Sequence, residues 1–195
     1  MKLEPKNYNF SNVRYFSPIQ LSEHYQLYIN YISCLNKVNN DLKIDRIFDE
    51  CNSNYSDIRS AQKSKTFCFD SIKLHELYFE NLTGNSTRIH GPIERVLVDT
   101  FGSYNNFREK FKCIGMSMRG WVLLCYDRYN NEFYIYGQDS HDCGVMLYAE
   151  PLIVMDVYEH AYMIDFGTNR NVYIDAFFQN IDFNVINQRL NKILK

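Results

Sequence analysis

Residues 151–162 read Pro-Leu-Ile-Val-Met-Asp-Val-Tyr-Glu-His-Ala-Tyr. The first five of these residues form an apolar run that is typical of a buried β-strand. Asp156 and His160 follow four residues apart, where the strand is expected to give way to a helix. A carboxylate and an imidazole at this spacing can coordinate one transition-metal ion, and both ligand types suit iron or manganese. The stretch therefore predicts part of a metal site at the end of a strand.

Two long helices are predicted before that strand. Ser17-Pro18 has the pattern of a helix start, with a serine cap and a proline in the first turn. Apolar residues then recur at helical spacing, and this first helix is expected to reach about Asp49. A turn-rich stretch at 51–56 separates it from a second helix over about 57–81. The second helix carries on related faces the residues Phe69, Ile72, His75, Phe79 and Leu82. A short loop between two long helices predicts an antiparallel hairpin.

The polar segment Thr83-Gly84-Asn85-Ser86 contains a glycine suited to ending a helix. It predicts a boundary between an N-terminal helical domain, residues 1–84, and a C-terminal domain, residues 85–195. The second domain is expected to hold helices over 91–101 and 104–116, strands over 121–126, 133–136 and 151–157, and helices over about 159–166, 170–179 and 183–194. The predicted fold class is α+β: a long antiparallel helical hairpin followed by a C-terminal α/β domain with a three-stranded antiparallel sheet.

Net charge and hydropathy indicate which partners and which cellular compartment the sequence favours. The 195-residue chain has a formal net charge of -2, which argues against general binding to nucleic acid or to an anionic membrane. It has no apolar stretch of about 18 residues, so no membrane span is predicted. Residues 1–8 lack the apolar core of a secretory signal, and the six cysteines include no C-x-x-C pair. These features predict a cytoplasmic protein with free thiols.

Several motifs, in the same order along the chain, resemble those of the iron/manganese superoxide dismutase family. Asp156 to Tyr162 is similar to the family's D-V-W-E-H-A-Y signature, and residues 74–82 resemble its N-H-x-x-F-Y-W-N-x-L helix. Residues 101–111 look like its F-G-S-x-x-x-F-x-x-x-F helix, and 119–124 look like its G-S-G-W-A-W-L strand. Gly137-Gln138-Asp139 stands where the family has N-Q-D, and residues 180–187 are similar to its closing segment. The resemblance extends from about Phe16 to the C-terminus.

The resemblance implies three histidines and one aspartate around one metal ion. His75, Asp156 and His160 match three of these ligands directly. The first ligand has two candidates, because the family pattern H-x-x-x-H-H-x-x-Y matches residues 23–31 only with a one-residue deletion. Aligning from Ser17 selects His24, whereas aligning back from Tyr31 selects Glu23. In an uninterrupted α-helix His24 and Tyr31 lie within about 20° of one face. We therefore expect His24 as the ligand, with Glu23 or no fourth ligand as the alternatives.

Four further residues are expected around the metal. The resemblance makes Tyr31 the gateway phenol and places Trp121 among the surrounding side chains. It implies that Glu159 reaches a ligand of the partner subunit, which would fix the orientation of that histidine ring. It also implies that Gln138 lies beside metal-bound solvent, a position that favours manganese slightly over iron. The family's second tyrosine in H-A-Y-Y is Met163 here, which alters its proton relay across the dimer.

The function implied by this resemblance is superoxide dismutation at one manganese or iron ion per subunit, in a homodimer or tetramer. The small substrate would be superoxide, and neither nucleic acid nor membrane is an expected partner. The alternative is a catalytically degenerate relative with a structural or interaction role. The doubtful first ligand and the altered relay favour that alternative. A di-iron carboxylate bundle would need two Glu-x-x-His pairs on facing helices, which the sequence lacks.

Overall fold

The computed structural model describes residues 2–82 and 85–194, and it confirms the predicted α+β class. The helices of the first half are α1 (Pro18–Asp41), a 3₁₀ helix (Asp45–Phe48) and α2 (Asp57–Asn81). The second half contains α3 (Pro92–Phe101), α4 (Tyr104–Ser117), β1 (Trp121–Asp127), β2 (Glu132–Gln138), β3 (Ala149–Asp156), a 3₁₀ turn (Glu159–Ala161), α5 (Met163–Phe166), α6 (Arg170–Phe178) and α7 (Phe183–Ile193). The predicted domain boundary at Thr83-Gly84 lies outside the described residues, so the two-domain division stays a prediction.

Helices α1 and α2 pack against each other as the predicted hairpin. Each begins at a serine cap: the Ser17 hydroxyl accepts from the Gln20 amide at 3.1 Å, and the Ser56 hydroxyl accepts from the Arg59 amide at 3.4 Å. Caps of this kind satisfy amide groups that have no partner in the first turn of a helix. Helix α1 buries a mostly apolar stripe from Leu21 to Val38, and α2 buries one over its second half, from Cys68 to Phe79. Packing rather than local preference therefore holds the two helices in place.

Two expectations for the hairpin are wrong. The first helix ends at Asp41 rather than near Asp49, because its buried stripe ends at Val38 and the following 3₁₀ helix buries no residue. A longer helix would gain no apolar burial there. Phe69 was expected on a face related to those of Ile72 and Phe79, which are buried, but it is 48% exposed and has the Lys73 ammonium over its ring.

The sheet has the strand order β2-β1-β3, and both pairings are antiparallel. Trp121 is paired with Gln138 on one side and with Asp156 on the other. Residues paired directly across neighbouring strands point to the same face of a sheet. The register therefore sets Gln138, Trp121 and Asp156 in one row, and β3 packs against α2 of the hairpin.

The segment after β3 is less regular than predicted. A single helix over 159–166 was expected, whereas a 3₁₀ turn and the four-residue α5 are separated at Tyr162. Tyr162 has a non-helical backbone, with φ of -148°. The Tyr162 ring is buried and stacks on the Tyr173 ring, with the centroids 5.0 Å apart. The helix is therefore interrupted at the residue whose side chain packs into the core.

Helix α7 is tied to the hairpin by a nearly buried arginine. The Arg189 guanidinium donates to the Asn81 side chain, to the Leu152 and Leu77 carbonyls and to the Glu80 carboxylate, at 2.7–2.9 Å. These acceptors belong to α2 and β3, so one side chain joins three elements around the core. Across residues 2–82 and 85–194, no helix has the length and apolar character needed to cross a bilayer.

Candidate metal centre

Asp156 is the centre of a buried cluster at the end of β3. Its Oδ2 lies 3.1 Å from His24 Nε2, 3.2 Å from His160 Nε2 and 3.7 Å from His75 Nε2. The other carboxylate oxygen accepts a hydrogen bond from the Tyr158 amide at 2.9 Å. The strand thus fixes the backbone of Asp156, and the following turn fixes its side chain.

Four elements bring these ligand types together. His24 is on α1, His75 is on α2, and His160 is in the 3₁₀ turn that follows Asp156. The structure thus brings all four predicted ligands into one place, with His24 1% exposed. Glu23, the alternative first ligand, is exposed. The uninterrupted α1 turns His24 inward and leaves Glu23 outside.

Burial determines the charge of the cluster. Desolvation lowers the pKa of both His24 and His75, so their imidazoles are neutral and keep a free lone pair. Burial alone would raise the pKa of Asp156, but His160 and His24 hold it below the usual range for a carboxyl group. Desolvation lowers the pKa of His160, but the neighbouring Asp156 carboxylate outweighs this effect and the pKa is raised overall. The result is an ionised carboxylate surrounded by imidazoles.

His75 shows that the cluster fits a metal ion. Its Nδ1 donates to the Ser71 carbonyl at 2.7 Å, one turn earlier on α2, which leaves the lone pair on Nε2. That Nε2 is buried and has no hydrogen-bond partner within the described residues. The four ligand atoms lie within 4.8 Å of one another. An ion with bonds of about 2.1 Å would need only a small inward shift of these side chains.

A hydrogen-bonded chain of side chains borders the cluster. Trp121 Nε1 donates to His141 Nδ1 at 3.0 Å, and His141 Nε2 lies 3.1 Å from the Tyr31 hydroxyl. The Trp121 ring centroid is 5.1 Å from that of His75, and the Tyr31 ring centroid is 5.5 Å from it. Two predicted residues, Trp121 and Tyr31, thus stand next to the cluster, joined by a histidine that no motif in the sequence indicated.

His141 has a defined tautomer in this arrangement. An indole N–H can only donate, so His141 Nδ1 must accept and the single proton of the neutral ring must be on Nε2. His141 therefore donates to the Tyr31 oxygen, and the Tyr31 O–H remains free to donate elsewhere. Burial lowers the pKa of His141 to about 4, which keeps the ring neutral. The sequence signal was weak: His141 is three residues after Gln138, at the end of a strand that leads to the site.

Gln138 and Glu159 have different surroundings. Gln138 is buried in the row with Trp121 and Asp156, and its Oε1 has no hydrogen-bond partner within the described residues. The role of Gln138 beside bound solvent stays a prediction. Glu159 is exposed next to His160, and its contact with a partner subunit likewise stays a prediction.

The fold and the cluster together define a mononuclear metalloprotein whose ligands come from a helical hairpin and from the sheet region that follows it. Residues 89–189 match the family described as iron/manganese superoxide dismutases, C-terminal domain. The chain is 33% identical over 199 residues to an iron superoxide dismutase of Aquifex pyrophilus, which covers 100% of this chain and 93% of that relative. It is 32% identical over 121 residues to a manganese superoxide dismutase of Halobacterium salinarum, covering 61% of this chain and 60% of that relative. The chain belongs to the iron/manganese superoxide dismutase family.

Proposed function

We propose that this protein is a superoxide dismutase that binds one iron or manganese ion through His24, His75, Asp156 and His160. The observation that carries the proposal is the buried cluster of three imidazoles and one carboxylate, in which the His75 Nε2 lone pair has no hydrogen-bond partner within the described residues. The full-length likeness to a relative named as an iron superoxide dismutase supports the same activity. Both metals accept this set of nitrogen and oxygen ligands.

When bound, the metal would take an electron from one superoxide and give it to a second, yielding dioxygen and hydrogen peroxide. The chain contributes one negative charge through Asp156 and fixes the ring of His75 through the Ser71 carbonyl. A hydrogen bond from the ring nitrogen that does not face the metal fixes the tautomer of a ligand histidine and makes its other nitrogen a stronger electron-pair donor. Because His24, His75 and Asp156 are buried, bulk water has little access to the metal-binding atoms of these side chains.

Formation of hydrogen peroxide from the second superoxide consumes two protons. Tyr31 holds a proton at the edge of the cluster, because His141 occupies its oxygen as a donor and leaves the phenolic O–H free. Desolvation and the nearby Asp156 charge raise the pKa of Tyr31 to about 12, so the phenol stays protonated at neutral pH. Tyr31 can therefore orient solvent or superoxide through a hydrogen bond without losing its own proton.

We further infer a cytoplasmic homodimer or tetramer. Six free cysteines support a reducing compartment. Met163 and Ile164 are 41% and 54% exposed beside Glu159 and His160, and an apolar surface next to a metal ligand suits contact with a second subunit. The slight preference for manganese depended on Gln138 and stays a prediction.

The test is to purify the protein from cells supplied with iron or manganese, then measure bound metal per chain and the rate of superoxide dismutation. His24→Ala and Glu23→Ala are matched variants, since the two residues are neighbours on α1. We expect about one ion per chain and activity in the parent and in Glu23→Ala. We expect His24→Ala to lose more than about 100-fold in activity, since loss of a ligand should exceed the 10–100-fold effect typical of residues that contact ligands.

Two results would contradict the proposal in different ways. Little metal and no dismutation in the parent would leave an inactive member of the family with a structural role. Loss of metal in Glu23→Ala, with His24→Ala unaffected, would show that the first ligand is wrongly assigned.

A further inference from the structure

Two cysteines face each other across the helical hairpin, close to the metal cluster. On α1, the Tyr31 ring contacts Phe67 and His75 of α2, with centroids 6.0 Å and 5.5 Å apart. Tyr31 therefore stands level with the middle of the 67–75 segment. Because the helices are antiparallel, three residues forward on α1 and three residues back on α2 reach the same level. These positions are Cys34 and Cys68.

The two thiols share one environment. Cys34 is half-buried and Cys68 is 3% exposed, and the Cys34 thiol is near enough to contribute to a raised pKa of Cys68. Both line an open groove of about 610 Å³ whose wall also includes Tyr31, Phe67 and Lys63. Since Tyr31 also borders the metal cluster through its ring contact with His75, a single side chain separates the groove from the cluster.

We propose that Cys34 and Cys68 form a dithiol site that hydrogen peroxide oxidises to a disulfide linking α1 to α2. The proposal rests on the proposed function in one respect, because peroxide made at the metal cluster and released past Tyr31 is the oxidant. The site itself is defined by the facing sulfur atoms and by the groove, and added peroxide can reach it equally well.

The reaction proceeds in two balanced steps. The Cys34 thiolate attacks one oxygen of the peroxide and the O–O bond breaks, which gives a Cys34 sulfenic acid. The hydroxide that leaves takes up the proton released when the Cys34 thiol ionised and becomes water. The Cys68 thiol then loses its proton as its sulfur attacks the Cys34 sulfur, the S–O bond breaks, and hydroxide leaves and is protonated to water. In sum, two thiols and one hydrogen peroxide give one disulfide and two waters, and the two sulfur atoms supply both electrons.

The order of attack follows from exposure. Cys34 is the more accessible sulfur atom, whereas burial and the adjacent Cys34 raise the pKa of Cys68 to about 12. Cys68 is therefore a neutral thiol that resists direct oxidation, because the thiolate is the reactive form. After Cys34 becomes a neutral sulfenic acid, its charge no longer opposes ionisation of Cys68, and the second step is favoured by proximity.

The test is a titration of the purified, metal-loaded protein with hydrogen peroxide. After each dose the remaining thiols are alkylated, free thiols are counted, and the digested protein is searched by mass spectrometry for a Cys34–Cys68 linked peptide. Cys34→Ser and Cys68→Ala remove either partner, and Cys113→Ser removes an exposed thiol as the matched control. Thermal unfolding of each variant verifies that it is folded before oxidation, and Cys34→Ser, at the more exposed position, suffices if Cys68→Ala is unfolded.

We expect the parent to fall from six free thiols to four at the lowest effective dose and to yield the linked peptide. Cys113→Ser should also lose two thiols, whereas Cys34→Ser should lose none at that dose. Earlier oxidation of the exposed Cys51, Cys113 or Cys143, or equal oxidation of the parent and Cys34→Ser, would overturn the proposal. Dismutation is assayed on the same untreated sample. An inactive protein that forms the disulfide contradicts the proposed function alone, and an active protein that does not form it contradicts the dithiol site alone.

Discussion

His141 determines the direction of the hydrogen bonds beside the metal cluster. It accepts from Trp121 on one ring nitrogen and donates to Tyr31 from the other. A neutral imidazole has a single N–H, so this donor is fully used by Tyr31. The Tyr31 hydroxyl is therefore the proton donor that this chain leaves free at the edge of the site.

Replacement of Trp121 should change the tautomer of His141. In Trp121→Phe the indole donor is lost, so the proton of the His141 ring is no longer confined to Nε2. We expect ¹⁵N-histidine NMR of the metal-free protein to show an Nε2–H ring in the parent and a mixture of tautomers in the variant. The exposed His90 provides an internal control whose signals should not change. An Nδ1–H ring of His141 in the parent would contradict the assigned hydrogen-bond direction.

The predictability of site residues depends on how local their role is. Asp156 and His160 could be predicted because their four-residue spacing after an apolar strand already implies a shared ion. His75 followed from a motif on one helix. His141 could not be predicted in this way, because its partners are 20 and 110 residues distant in sequence and meet it only after the hairpin and sheet have packed.

At the scale of the elements, α7 packs on the core through Phe183, Ile186 and Leu190, and Arg189 adds polar contacts to two further elements. The Arg189 guanidinium serves acceptors on α2 and β3, and its side chain is 11% exposed. Burial of an arginine is tolerated when its donors are used, as they are here. Removing the guanidinium would leave the Glu80 carboxylate, paired on one side with Lys6, without its other cation.

Arg189→Met should therefore destabilise the protein more than a surface substitution on the same helix. We expect a loss of up to about 3 kcal/mol in the free energy of unfolding, the lower end of the range for breaking a buried ion pair, because the Glu80 side chain is 34% exposed and keeps Lys6. Urea unfolding followed by circular dichroism measures it, with Lys192→Met on the exposed side of α7 as the control. Equal stability of the two variants would show that the Arg189 contacts contribute little.

The ends of the elements were harder to predict than their presence. The start of α1 carries the Ser17-Pro18 signal, and the structure places the helix there. Its end has no glycine or proline, and residues 42–49 have acceptable helix propensity. What ends α1 is the lack of a surface against which residues 45–48 could be buried, and this depends on the tertiary arrangement rather than on local sequence.

On the scale of the whole molecule, the metal cluster connects the two halves of the chain. His24 and His75 come from the hairpin, whereas Asp156 and His160 come from the region after the sheet. A ligand that binds only the folded state raises the free energy of unfolding, and the increase grows with the logarithm of the ratio of ligand concentration to dissociation constant. Bound metal should therefore stabilise the packing of hairpin against sheet.

The proposed subunit contact gives a prediction at the same scale. Met163→Glu adds a charge to the apolar surface beside His160, and burial of an unpaired charge at an interface is costly. We expect the parent to sediment as a dimer or tetramer and Met163→Glu to sediment as a smaller species in analytical ultracentrifugation. Met116→Glu, at a similarly exposed methionine on α4, should leave the assembly unchanged. A parent that sediments as a monomer would contradict the inferred contact.

The assignment of the four metal ligands can be tested by anomalous X-ray diffraction from crystals of the metal-loaded protein, recorded at the iron and manganese edges. We expect one peak per chain, with His24 Nε2, His75 Nε2, Asp156 Oδ2 and His160 Nε2 all within about 2.0–2.3 Å of it. A peak bound by Glu23 in place of His24, a peak elsewhere in the molecule, or no peak in a protein supplied with both metals would contradict it.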